Sequence, residues 1–397
     1  MIPAPVRIAG IGLVSSLGSG RAAVATRILA GEIGLHPVAG IITPLKDRVP
    51  VSQVRDMDVD PERPRNDELA LEALRQALAE AGLQPRSPQV AAAALLVGSI
   101  TGDSNVSETR YRGQLAHQGL VPNVTIEPPA GRVAVRLAEE LGVAGPVLTT
   151  CSACTSSANA ILTAIHMLRQ GLVPRAIVVG TDILTATLLH GFDALMLLTP
   201  DGCLPFDRAR KGIQVGEAAA ALILELADDD SRTGCRDVLL LGGASRCDPF
   251  HMTASSPDGS GAEAVMRAAC EQSGVEPSAI VAIKAHGTGT PDNDSAEGHA
   301  LLRLFGDRIP PFASIKRYLG HTMGAAGTVE LGAFVGCLEA GFVPACAGFA
   351  EVDPEVGVTP LRNHAPFVGG IVMLNYFGFG GNSVSLLAKV PRGEVVA

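Results

Sequence analysis

Leu148-Thr-Thr-Cys151-Ser-Ala-Cys154-Thr-Ser-Ser-Ala158 is an apolar strand pattern that runs into a turn of small residues and then into a helix. The helix continues to Arg169 as Ala-Asn-Ala-Ile-Leu-Thr-Ala-Ile-His-Met-Leu-Arg, apolar almost all round, which suits a helix buried at the centre of a protein. Cys154 is expected where that helix begins. Unpaired backbone N–H groups and a partial positive charge collect at a helix N-terminus, so a thiol there is biased toward thiolate, the attacking form. Small neighbours let a substrate approach. Arg175 to Gly180 then reads as a central strand, and strand, helix, strand in this order is a parallel crossover unit.

Upstream, Val6 to Val14 reads as a strand ending in a glycine turn at Ser15-Ser-Leu-Gly18. It half-matches a dinucleotide fingerprint, but Ser15 stands where the third glycine belongs, so a plain strand and turn is expected. Asn66 to Gly82 has apolar residues three and four apart and predicts an amphipathic helix, followed by a buried strand over Val90 to Val97. From Gly98 to Arg132 periodicity is lost, predicting an irregular region able to shape a pocket. Downstream, Pro205 to Gly212 is a charged turn, Ala218 to Leu226 a core helix or strand, and Asp237 to Gly243 a strand.

An internal echo points to duplication. Leu168-Arg-Gln-Gly171-Leu-Val-Pro174 closes the Cys154 helix, and Leu338-Glu-Ala-Gly341-Phe-Val-Pro344 closes a second small-residue helix begun near Gly320, at an offset of 170 residues. Under that offset Cys154 corresponds to Gly324, so one helix start would be reactive and its twin blank.

Composition bounds the rest. With 397 residues, 45 glycines, 47% hydrophobic residues and no apolar run of 18, the chain reads as tightly packed α/β without a transmembrane helix or an export signal. Eight scattered cysteines predict free thiols and a reducing cytoplasm, and a net charge of -9 disfavours nucleic acid and anionic membrane as partners.

Two histidines stand out. His286 ends the apolar run Ala282-Ile-Lys-Ala-His and opens His-Gly-Thr-Gly-Thr290, at the strand end where sites collect in α/β sheets. His321 lies five residues after Lys316 in Lys-Arg-Tyr-Leu-Gly-His, where a helix start would keep its ring neutral and able to donate a hydrogen bond. Asn375-Tyr-Phe377-Gly-Phe379-Gly-Gly-Asn-Ser383 ends a strand in a glycine loop that carries two phenylalanines.

Together the Cys154 segment, His286-Gly-Thr-Gly-Thr, Lys316 to His321 with Gly-Ala-Ala-Gly327, and Phe377-Gly-Phe-Gly-Gly resemble the type II elongating β-ketoacyl-acyl-carrier-protein synthases, in order and spacing over nearly the whole chain. The resemblance implies a thiolase-like α/β fold, five-layered α-β-α-β-α, with two similar halves at 1–234 and 235–397. It implies a decarboxylative condensation of an acyl-enzyme thioester with malonyl-acyl-carrier-protein, with Cys154 as nucleophile. His286 and His321 would be donors to the forming enolate, and backbone N–H groups of Cys154 and Phe379 the oxyanion hole. Phe379 would be the gate, and Lys316 the partner of Glu330. Thr288 and Thr290 would hold the pantetheine arm, with Phe377 and His251 lining the substrate site. Arg210 and Lys211, with Arg63 and Arg65, would dock an acidic acyl carrier protein. No metal or cofactor is implied beyond the phosphopantetheine of the carrier. The usual assembly is a homodimer, with a heterodimer with a paralogous chain-length partner as the alternative.

Departures from the family pattern include Tyr376 for Ser and Asn382-Ser383 for Thr-Asn, which bear on substrate size more than reaction type and leave the pathway as fatty acid or specialised polyketide or polyene biosynthesis. A coenzyme A thiolase would need a second cysteine in the C-terminal glycine loop, and none is there. Cys151 and Cys154 spell a C-x-x-C pair, but no second pair accompanies it, so Cys151 is expected on a strand facing the core. His166, His190 and His299 are expected to be structural.

Overall fold

The computed structural model describes residues 4–57, 64–118, 130–227 and 237–391. Its strands are β1 (Val6–Ser15), β2 (Gly18–Ser19), β3 (Ala94–Gly98), β4 (Val147–Thr150), β5 (Ala176–Asp182), β6 (Ala218–Leu226), β7 (Leu239–Cys247), β8 (Ile280–Lys284), β9 (Phe312–Ala313), β10 (Phe342–Val343), β11 (Ala365–Pro366), β12 (Gly370–Phe377) and β13 (Asn382–Val390).

Two five-stranded halves follow one plan. The first runs β4-β3-β5-β6-β1 and the second β7-β13-β12-β8-β9, joined edge to edge where β1 pairs β7 at Val6↔Leu240 and Arg7↔Leu239. Outward from that junction each half has two antiparallel pairings, β1 to β6 to β5 and β7 to β13 to β12, then two parallel ones, β5 to β3 to β4 and β12 to β8 to β9. The expected division at 234/235 falls within 228–236, outside the described residues.

The layers follow from the period of two along the strands. In β6, Ala218, Ala220, Leu222 and Leu224 point into a central core, whereas Ala219, Ala221 and Ile223 point into an outer one shared with helix Arg65–Glu80. Helices Ser156–Arg169 and Ala326–Glu339 fill the middle and touch strands of both halves. A third core lies on the far side, where helix Ser260–Ser273 covers β7 and β13. Helix, sheet, helix, sheet, helix is therefore the order of layers.

The two central helices start 170 residues apart, Ser156 and Ala326, as the sequence echo predicts. Glycine lets them meet backbone to backbone: a Cβ on Gly327 would lie 2.2 Å from the nitrogen of Ala158. This close crossing brings the turn before each helix to the centre of the molecule.

The plain strand expected for β1 holds and the open reading of Ala218–Leu226 is resolved, while other expectations are corrected. Gly10 and Gly12 belong to a continuous β1, and a Cβ on Gly12 would lie 1.7 Å from the carbonyl oxygen of Ala73, so these glycines serve helix packing and not a phosphate loop. The strand expected over Val90 to Val97 is Ala94–Gly98, because Ser87 caps a helical turn at Pro88–Ala91. The stretch Gly98 to Arg132 contains helix Ser104–Gln118, whose polar sequence carries no apolar stripe to reveal it. Cys151 is exposed, because β4 is the edge strand and leaves Val147 and Leu148 uncovered at 36% and 42%. Ala218–Leu226 is a strand.

Candidate active site

A turn in the left-handed region sets the nucleophile. Ala153 has φ 50°, and Thr155, whose side chain does not cap the helix, donates its hydroxyl to the carbonyl of Ser152 at 2.6 Å. Such a backbone is unfavourable for alanine and persists because the surroundings over-determine it. Cys154 then stands two residues before the helix, with 7% of its surface exposed.

His321 arrives from the second half. Its Nε2 lies 3.0 Å from the Sγ of Cys154, and its backbone is fixed by its own N–H to the carbonyl of Gln214 at 2.6 Å and by Gly216 N–H to its carbonyl at 2.9 Å. His286 follows β8, its ring edge-on to that of His321 with centroids 5.5 Å apart. The buried Glu297 accepts the backbone N–H groups of His286 and Gly287, both at 2.8 Å. Asp294, one helical turn earlier, accepts those of Phe206, Thr288 and Gly289 at 2.7, 3.0 and 3.1 Å. The i, i+3 spacing puts both carboxylates on one helix face, which organises the whole His-Gly-Thr-Gly-Thr loop.

Electrostatics depart from the sequence reading in one respect. Burial pushes the Cys154 thiol up to about 11, against the opposing pull of Lys316 and of the backbone N–H of Phe379, which hydrogen-bonds the sulfur. In the resting protein the thiol keeps its proton, because desolvation outweighs the helix terminus. Both imidazoles are held well below their ordinary value by burial first and then by the cations Lys316 and Lys284. The helix after His321 starts only at Ala326, after a short 3-10 turn at Met323–Ala325. Among the described residues, Nδ1 of each histidine is buried without a hydrogen-bond partner, while Nε2 of His321 faces the thiol.

One pocket is lined by Cys154, His286, His321, Thr288, Thr290, Phe377 and Phe379 together. Thr288 and Thr290 bond through their hydroxyls at 2.9 Å. The ring of Phe377 packs 5.7 Å from that of His286, and the half-buried Phe379 stacks obliquely on Phe192 at 6.3 Å. Asn382 fastens this loop to the nucleophile helix: its Oδ1 accepts from Thr155 at 2.5 Å and from Asn159 at 2.7 Å. Lys316 pairs with Glu330, as expected.

Other expected residues are placed differently. His251 is exposed and its Nδ1 accepts the N–H of Thr253 at 3.2 Å; Thr253, Ala254 and Ser255 line the pocket instead, because the ring turns back onto its own loop. The Arg210 side chain, only 7% exposed, is tied to Asp353 at 2.5 Å, while Lys211 is exposed. Arg65 bonds the fully buried Glu217 at 2.5 Å and the carbonyl of Val54 at 2.6 Å, so it braces the interior. Arg63 lies outside the described residues. Lys284, Asp294 and Glu297 went unassigned in the sequence; a lysine within an apolar strand and two acids one turn apart were the available signals. Among the described residues no group of three or more His, Cys, Asp or Glu is arranged to hold a metal ion, and no helix is long and apolar enough to cross a membrane.

Both halves of the duplicated fold thus bring a thiol and two imidazoles to one chamber. The sequence matches the profile "Beta-ketoacyl synthase, N-terminal domain" over residues 4–230 and "Beta-ketoacyl synthase, C-terminal domain" over residues 238–350, and the chain belongs to the β-ketoacyl synthase family. It is 32% identical to "Nodulation protein E" of Rhizobium meliloti over 81% of each chain. It is 29% identical to the "Tetracenomycin polyketide synthase ketoacyl synthase alpha subunit" of Streptomyces glaucescens over 97% of each. Among solved structures, "The ishigamide ketosynthase/chain length factor" superimposes with a TM-score of 0.87 at 29% identity, over 98% of this chain and 99% of that one.

Proposed function

We propose that the chain is an elongating ketosynthase of the Cys-His-His type, joining an acyl group to malonyl-acyl-carrier-protein in a specialised polyketide-like pathway. The observation that carries it is the 3.0 Å contact of Cys154 Sγ with His321 Nε2, with His286 alongside in one chamber. Sγ attacks the carrier thioester, the carrier thiol leaves with the cysteine's proton, and the N–H groups of Cys154 and Phe379 receive the transient oxyanion. Malonyl on a second carrier then loses carbon dioxide. The electron pair of the broken C–C bond becomes an enolate, whose oxygen takes the Nε2–H groups of His286 and His321. Its carbon attacks the acyl-cysteine and expels the sulfur, giving the 3-oxoacyl product.

Thr288 and Thr290 would steady the pantetheine arm, and Lys211, exposed on the turn beside the buried Arg210, would meet the acidic carrier. No cofactor is needed for these steps. A paralogous subunit or a second copy would cover the exposed apolar edge of β4. The names of the tetracenomycin and ishigamide relatives favour the paralogue.

Intact mass measurement after incubation with an acyl-loaded carrier tests the reading. An adduct is expected on the native chain and none on Cys154→Ala; an adduct retained by that variant would move the nucleophile elsewhere. Adding malonyl carrier, with and without a paralogous subunit, then separates a self-sufficient enzyme from one half of a pair.

A further inference from the structure

Glu330 is shared by two lysines. Its Oε1 pairs with Lys316, and its Oε2 lies 2.5 Å from Nζ of Lys284, which also donates to the carbonyl of Asn375 at 2.5 Å. All three are buried, at 1% exposure or less. The Lys284 ammonium sits 3.7 Å from the centroid of the Tyr376 ring, whose hydroxyl donates to the carbonyl of Gly327 at 3.0 Å. Burying a charge costs several kcal/mol unless it is compensated, and β8 is otherwise apolar, so packing alone does not call for a lysine here. Lys284 is the last residue of β8 and His286 stands two residues beyond it, close enough for the ammonium to act on both imidazoles.

We propose that Lys284 is a positioning residue of the condensation step: as the second ammonium on Glu330, it maintains a surplus positive charge behind the paired imidazoles, keeping them neutral donors and favouring the enolate. This deepens the Cys-His-His reading and rests on it. The charged groups facing Lys284 are Glu330, Lys316 and the buried Glu297; those facing His286 are Lys316, His321 and Lys284, and those facing His321 are Lys316 and Lys284. The tyrosine face and the Asn375 carbonyl give the extra cation the compensation that one carboxylate shared by two lysines leaves short. Burial lowers Lys284 to about 8, with Glu330 opposing and Lys316 adding to the drop. The charge is thus present below about pH 8 and lost above it.

The test is single-turnover condensation by enzyme already acylated at Cys154, followed from pH 6.5 to 9, so that the pH dependence of acyl transfer does not enter. The native enzyme is expected to slow as pH rises through about 8. Lys284→Met is expected to be slower at pH 7 by about tenfold and to lack that step. Lys284→Arg, which keeps its charge throughout, is expected to recover rate and also lack the step. A Lys284→Met profile superimposable on the native one would reduce Lys284 to a structural strut. A native rate that is flat across pH 8 overturns the proposal even where the variants do not fold. Absence of the Cys154 adduct on the native enzyme would instead sink the Cys-His-His reading itself.

Discussion

The two ends of the duplicated core share one backbone design and differ in what fills it. Ala153-Cys154 and Met323-Gly324 are the same elbow 170 residues apart, with φ 50° and 46° at the first residue, and each leads into a central helix. At the first, the thiol faces a pocket with two imidazoles whose Nδ1 atoms lack partners among the described residues. At the second, the carboxylate of Asp182 fills the corresponding space. It accepts hydrogen bonds from Ser99 Oγ at 2.9 Å, Ile100 N–H at 2.9 Å, Thr101 N–H at 2.8 Å, Thr101 Oγ1 at 2.6 Å and Gly324 N–H at 2.7 Å. A Cβ on Gly324 would lie 2.8 Å from that carboxylate. One elbow opens on a pocket and the other is closed by a satisfied polar plug, so the two differ in what the elbow faces rather than in the elbow itself.

The largest expected effect is at the open end. His286→Ala and His321→Ala should each slow condensation by roughly a hundred- to a thousand-fold while leaving the Cys154 adduct in place, as read by product formation from preloaded enzyme. Full turnover by either variant would remove that imidazole from the comparison. At the plugged end, Asp182→Ala strands several buried donors and should cost about 3 kcal/mol in urea unfolding. A variant as stable as the native chain would mean that water replaces the carboxylate. Gly324→Ala sharpens the contrast least, with about 1 to 2 kcal/mol lost to the clash with Asp182 and the Cys154 adduct retained. A lost adduct would show that the two elbows are mechanically coupled.

Much of this was legible in the chain. The repeated Leu-x-x-Gly-x-Val-Pro closures located both central helices; Cys154, His286 and His321 stood out in short motifs, and the Lys316 to Glu330 pair followed from the family resemblance. Helix Ser104–Gln118 was hidden, since a polar helix without an apolar stripe leaves no period to read. That Arg210 and Arg65 are tied to carboxylates was not legible, because a basic residue in a turn looks the same in sequence whether it faces solvent or pairs with an acid, as Arg210 does with Asp353.

Sequence alone therefore pointed to the cysteine and the histidines of the candidate site and to a doubled fold, since both are written in short-range order. Tertiary structure decided which elbow stays open, that the thiol keeps its proton, and that a second lysine shares Glu330. Those outcomes depend on desolvation and on partners tens to hundreds of residues away, from Lys284 and Glu330 to Asp182 and Gly324, whose proximity no local pattern encodes.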